Sequence, residues 1–168
     1  KKDGKWIFEI RDGKTEGDFK QGNPVGMWVF TDSIGQKRKE FSQPYGTITE
    51  WYSNGQKEAE GYKGENGREG VWKEWHKNGK ERLEEHWVAG KSNGAYIVWY
   101  ENGQKKIEGQ YKNNVKEGSW TTWYDTGIKE TEGDYKSGKE HNKWGLWTKD
   151  GTEKTEGEYY NGLKEGIW

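Results

Sequence analysis

The sequence predicts an all-β repeat array, and three observations carry that prediction. Large apolar residues recur at Ile48, Trp72, Tyr96, Trp120, Trp144 and Trp168, each 24 positions from the next, and Trp28 and Trp6 extend the column by steps of 20 and 22. A glycine stands seven residues after every member but the last, at Gly13, Gly35, Gly55, Gly79, Gly103, Gly127 and Gly151. Helical spacing of apolar residues is sustained nowhere. A fixed period of this size marks an architecture in which each unit borrows its core from its neighbours.

The units run approximately over 4–25, 26–45, 46–69, 70–93, 94–117, 118–141 and 142–165, as one array of about seven β-hairpins in a twisted antiparallel open sheet. The first two depart from the rule. Glu9 and Thr31 stand where later units carry a second tryptophan, and insertions around Gln43-Pro44-Tyr45 disturb the spacing, so the N-terminal third is expected to be less regular. From position 46 onward, short turns such as Ser53-Asn54-Gly55, Lys77-Asn78-Gly79 and Glu101-Asn102-Gly103 separate aromatic and β-branched runs. Asn-Gly suits a hairpin turn because both residues tolerate positive φ. Polar connections such as 112–117 join one hairpin to the next.

Alternation assigns faces. Ile107, Gly109 and Tyr111 share one face of a second strand, as do Thr131, Gly133 and Tyr135; Gly118, Trp120 and Tyr124 share a parity on a first strand. The strand glycines are expected to leave room for a ring from a neighbouring strand. The opposite parity of the first strand holds Trp51, Trp75, Trp99, Trp123 and Trp147. A flat strand projects these away from the first column, whereas a bulge returns them to the same side.

Charged residues make up 34% of the chain and hydrophobic ones 28%, which alone would suggest disorder. The 12 Trp, 10 Tyr and 4 Phe argue otherwise, because each large ring buries about 150–250 Å². A thin, single-layered structure follows. The 28 basic and 29 acidic residues are interleaved, which leaves no basic stripe for nucleic acid and no polybasic patch for lipid. No apolar run approaches a membrane helix, and no secretory leader is visible. The chain opens on Lys1 and stops at Trp168, and is expected to be a piece of a longer protein.

The pattern carried by Glu117-Gly118, Trp120, Trp123-Tyr124, Glu132-Gly133 and Tyr135, and again by Glu69-Gly70, Trp72, Trp75 and Asn78-Gly79, resembles the MORN repeat. The likeness is to its bacterial variant, found in antitoxin-like and cell-surface proteins. It implies successive hairpins in an elongated sheet, scaffolding, protein interaction and membrane association, and it brings no catalytic set.

The chemistry-bearing residues point the same way. Glu40, Glu60, Glu84, Glu108, Glu132 and Glu156 form a carboxylate column, each five residues after a turn glycine. Equivalent residues of adjacent hairpins lie about 10 Å apart, too far to converge on a cation, so a lattice with Lys57, Lys105, Lys106, Lys129 and Lys154 is expected. His76, His86 and His141 occupy different columns without metal-ligand spacing. No nucleophile elbow or phosphate loop appears. The expectation is no enzyme, no cofactor and no metal. The partner surface is assigned to Trp51, Trp75, Trp99, Trp123 and Trp147, for a protein partner in a bacterial surface or envelope assembly, extracytoplasmic rather than cytoplasmic. Two alternatives stand beside this: a glycan or cell-wall binding module using that column, and an antitoxin or immunity-type protein.

Overall fold

The computed structural model describes residues 1–152 and 154–166. Its strands are β1 Gly4–Ile10, β2 Gly13–Lys20, β3 Asn23–Asp32, β4 Lys37–Gln43 and β5 Gly46–Trp51. Then come β6 Lys57–Gly64, β7 Gly67–Trp75, β8 Glu81–Val88, β9 Lys91–Trp99 and β10 Lys105–Lys112. The last five are β11 Val115–Trp123, β12 Lys129–Lys136, β13 Lys139–Trp147, β14 Lys154–Tyr160 and β15 Leu163–Glu165. All fifteen pair in chain order in one antiparallel sheet. At about 4.8 Å per strand, the sheet is about 65–70 Å wide. Trp168, counted in the first aromatic column, lies outside the described residues.

No second layer covers the sheet, so rings lying on the sheet must supply the core. The buried hydrophobic residues among those described are Trp28, Trp72, Trp120 and Trp144. Trp120 is only 4% exposed because its indole lies over Gly109 of the preceding strand, where an added Cβ would sit 2.2 Å from Trp120 Cδ2. Trp28 over Gly17, Trp72 over Gly61 and Trp144 over Gly133 repeat the arrangement. Tyr111 and Tyr135 meet the Trp120 ring edge-on at 5.1 and 5.9 Å, and Tyr135 meets Trp144 at 5.2 Å. The thinness shows in the accessible surface of 10394 Å², against about 8,600 Å² for a compact monomer of 19.6 kDa.

A bulge makes each indole-over-glycine seam possible. Glu108 pairs with Thr121 but Gln110 pairs with Glu117, so Gly118, Ser119 and Trp120 stand opposite the single residue Gly109. The chain turns into this bulge at Gly118, with φ 68°, and at the equivalent Gly70 with φ 69° and Gly26 with φ 67°. That left-handed backbone is why glycine precedes the tryptophan by two. Where the strand glycine is absent, the indole is absent too: Phe41 faces Ile48, and Glu85 faces Tyr96.

Two turn readings need correction. Among Asn54, Asn78 and Asn102 none has positive φ; only the following glycines do, with Gly55 at 83°. The asparagines are retained for hydrogen bonding. Asn54 Oδ1 accepts from the Gln56 N–H at 3.1 Å, while its amide donates to the Lys77 carbonyl of the next turn at 3.0 Å. Asn78 and Asn102 do the same toward Glu101 and Asp125. Paired positive φ occurs instead in the joins between hairpins, at Asn113–Asn114 with 51° and 68° and at Ser137–Gly138 with 53° and 80°. Those joins are therefore tight turns within a continuous ladder, not loose connections.

The N-terminal irregularity has two sources. Ile10 pairs directly with Gly13, so a two-residue turn replaces the longer one and shortens the first step. Near Pro44 the chain is shortened rather than expanded: Phe41 and Ile48 are 7 positions apart, Gly109 and Trp120 are 11.

Candidate functional site

The second tryptophan column lies on the face opposite the first. A bulge does occur beside it, but on the partner strand: Thr122 pairs with Thr131 and Trp123 with Lys129, which leaves Glu130 as the extra residue. Arg38, Glu58, Arg82 and Lys106 are the equivalent extra residues of other hairpins. The first strand itself stays regular, so Trp123 keeps the opposite parity from Trp120. In the last full hairpin the two columns separate visibly. Trp144 crosses Gly133 of the preceding strand, whereas Trp147 folds back on Gly145 of its own strand, 2.6 Å from where a Cβ would stand.

Trp51, Trp75, Trp99, Trp123 and Trp147 are all half-buried. Lysines bury part of them. The ammonium of Lys37 lies 5.2 Å from the centre of the Trp51 ring, Lys57 lies 5.2 Å from Trp75, and Lys129 and Lys154 lie 5.3 and 4.9 Å from Trp147. Each such contact contributes about 0.5–1 kcal/mol at an exposed site.

The glutamate column shares this face and is neutralised lysine by lysine. Lys105 bonds both carboxylate oxygens of Glu108 at 2.9 Å, and Lys129 reaches Glu132 at 2.8 Å. Lys37 pairs with Glu40 and Lys57 with Glu60. Lys143 and Lys154 both meet Glu156. Glu84 is served by Lys73 of the neighbouring strand at 3.0 Å, and that ammonium holds its carboxyl below the usual range. Lys106 does not belong to this lattice; its ammonium lies over the Tyr100 ring at 5.2 Å. No group of three or more His, Cys, Asp or Glu among the described residues is arranged to hold a metal ion.

Backbone bonds fix the strand that carries the column. Tyr52 Oη donates to the Trp75 carbonyl at 2.7 Å, Tyr100 to Trp123 at 2.8 Å and Tyr124 to Trp147 at 2.9 Å. His76 takes the tyrosine's place and bonds the Trp99 carbonyl through Nε2 at 3.0 Å. Because a carbonyl only accepts, Nε2 carries a proton there. The signal was present in the sequence as a histidine in a tyrosine column, but its partner 23 residues away was not. His86 lies against Glu84 at 3.3 Å. His141 is on strand β13 beside the Tyr160 ring.

The arrangement can bind and display, through flat rings, paired charges and a rigid ladder at steps of about 10 Å per repeat. Residues 68–88, 92–113 and 116–137 match the MORN repeat variant family. Repeats of this kind serve as scaffolds for protein or membrane binding. No curated protein matches the chain.

Proposed function

We infer that the chain is a non-enzymatic scaffold that binds an extended protein partner along the face of Trp51, Trp75, Trp99, Trp123 and Trp147. The observation carrying this reading is the repetition of one surface unit, a half-buried indole with a lysine–glutamate pair, hairpin after hairpin. A small specific ligand needs a concavity with a few converging polar groups. A flat ladder of equal units suits a long partner, which gains affinity through effective concentration as weak contacts add. The glycan alternative fits less well, because a lysine ammonium already lies over the Trp51, Trp75 and Trp147 rings where a sugar would stack.

The test is site-specific photo-crosslinking in the source cells from Lys73, Ile97 and Thr121, which sit on this face between the tryptophans. The expected result is one discrete protein adduct, reduced in steps by Trp75→Ala, Trp99→Ala and Trp123→Ala. Adducts only from the opposite face, or a yield indifferent to all three substitutions, contradict the reading.

A further inference from the structure

The aromatic packing of the first face is broken at one seam, and a cleft stands in the break. At the regular seam, Trp120 is bracketed by Gly109, Tyr111 and Tyr135. The equivalent positions around Ile48 are Phe41, Gln43 and Lys63. Ring contacts run from Trp6 through Phe8, Phe19 and Trp28 to Phe41, and among the described residues none continues from Phe41 to Trp72. In their place is a cavity of about 490 Å³, floored by Phe30, Phe41, Pro44 and Ile48 with Lys39 and Lys63 at its side. A second cavity of about 380 Å³ shares Ile48, Lys39 and Lys63 and ends at Trp72 and Arg68. Both fall within the volume range of small-molecule sites.

The charges of this cleft are unbalanced. Lys39 bonds Glu50 at 2.5 Å, and Glu74 is taken by Arg82. Arg68 lies over the Trp72 and Trp87 rings at 4.2 and 5.0 Å with no carboxylate partner among the described residues. The Lys63 ammonium has neither an ion pair nor a hydrogen bond among them. A cleft lined by Phe30, Phe41, Pro44 and Ile48 and edged by unpaired cations selects a flat apolar group bearing an anion.

We propose that the cleft between Trp28 and Trp72 binds a small aromatic carboxylate, its ring packed against Phe41, Pro44 and Ile48 and its carboxylate meeting Lys63. The site is on the face opposite the proposed partner surface and stands independently of it.

Naphthalene-2-carboxylate is the probe, titrated calorimetrically at low ionic strength, with amide chemical shifts locating it. One site is expected, with shifts centred on Phe41, Ile48 and Lys63. Lys63→Gln should weaken binding about tenfold, as should replacing the acid by naphthalene-2-carboxamide, and the two losses should not add. Phe41→Gly/Ile48→Trp, which sets an indole opposite a glycine in the cleft, should abolish binding. If that double variant does not fold, the Lys63→Gln and carboxamide comparison decides alone. No binding by the unaltered chain at millimolar probe overturns the proposal, as does equal affinity for acid and amide or shifts located elsewhere. A blocked Trp-Asp peptide that binds where the free acid does not also overturns it, in favour of a protein side chain as occupant.

Discussion

The seams at Trp120 and at Ile48 join equivalent strands of one sheet and differ at four side chains and in the bulge, which the shorter Ile48 seam lacks. Around Trp120 the ring rests on Gly109 and is held edge-on by Tyr111 and Tyr135, with the Lys116 ammonium 4.4 Å above it. Around Ile48, Phe41 takes the space the ring would need, and Gln43 and Lys63 stand where the tyrosines would. The backbone ladder survives both arrangements. The difference teaches that pairing and packing are separable in a one-layer sheet. Hydrogen bonds define the order of strands, while the indole-over-glycine seams supply the burial that single strands cannot. A seam released from that duty is free to be hollow.

The largest expected contrast is between the two rings themselves. Trp120→Ala should cost about 3–5 kcal/mol, whereas Ile48→Ala, at a half-buried site beside a cleft, should cost about 1 kcal/mol. Similar shifts of the denaturation midpoint would erase the distinction. The third kind of seam sharpens it. Glu85 faces Tyr96, so Tyr96→Trp alone should gain nothing, whereas Glu85→Gly/Tyr96→Trp should stabilise by about 1–2 kcal/mol. Additive single effects would mean that the glycine is not what admits the ring.

Alkali should act first on the regular seams. Burial, and then the charge and hydrogen bond of Glu140, push Tyr135 up to about 12; burial likewise raises Tyr96 and Tyr111. The unfolded chain loses these protons near pH 10 while the folded chain holds them. Stability is therefore intact below pH 10 and is lost as pH rises from 10 toward 12. Tyrosinate absorbance should lag behind free tyrosine and then rise together with unfolding. Titration at the free-tyrosine pH without unfolding would place these rings in solvent.

Smaller effects belong to features the two kinds of seam share. Tyr100→Phe removes the bond to the Trp123 carbonyl and should cost about 1 kcal/mol. Glu132→Ala removes an exposed partner of Lys129 and should cost well under 1 kcal/mol in a urea titration.

Much of this molecule was legible in the chain. A period of 24 and period-two alternation suffice for an all-β meander, for the ring-over-glycine pairing at Gly109 and Gly133, and for the lysine–glutamate lattice. Bulges were not legible, because one extra residue in a ladder changes register without changing composition. Glu130 and Gly118 read as ordinary strand positions. The same limit hid which turn is which: Asn-Gly at Asn54 looks like a turn with paired positive φ, yet its asparagine is kept for bonds to neighbours that only the folded ladder brings near. The departures at Phe41, Ile48 and Lys63 were visible as misfits in their columns, but a cleft is a property of several misfits meeting. Of the second tryptophan column, the residues were readable and the face was not.

The central claim is that Gly109 exists to admit Trp120, and a double-mutant cycle tests it most directly. Gly109 has no positive φ, so alanine fits its backbone and any cost comes from the ring it would strike at 2.2 Å. Gly109→Ala alone should cost about 2–3 kcal/mol, and in a Trp120→Ala background about 0.5 kcal/mol or less. The same cost in both backgrounds would show that the seam is not what the glycine serves.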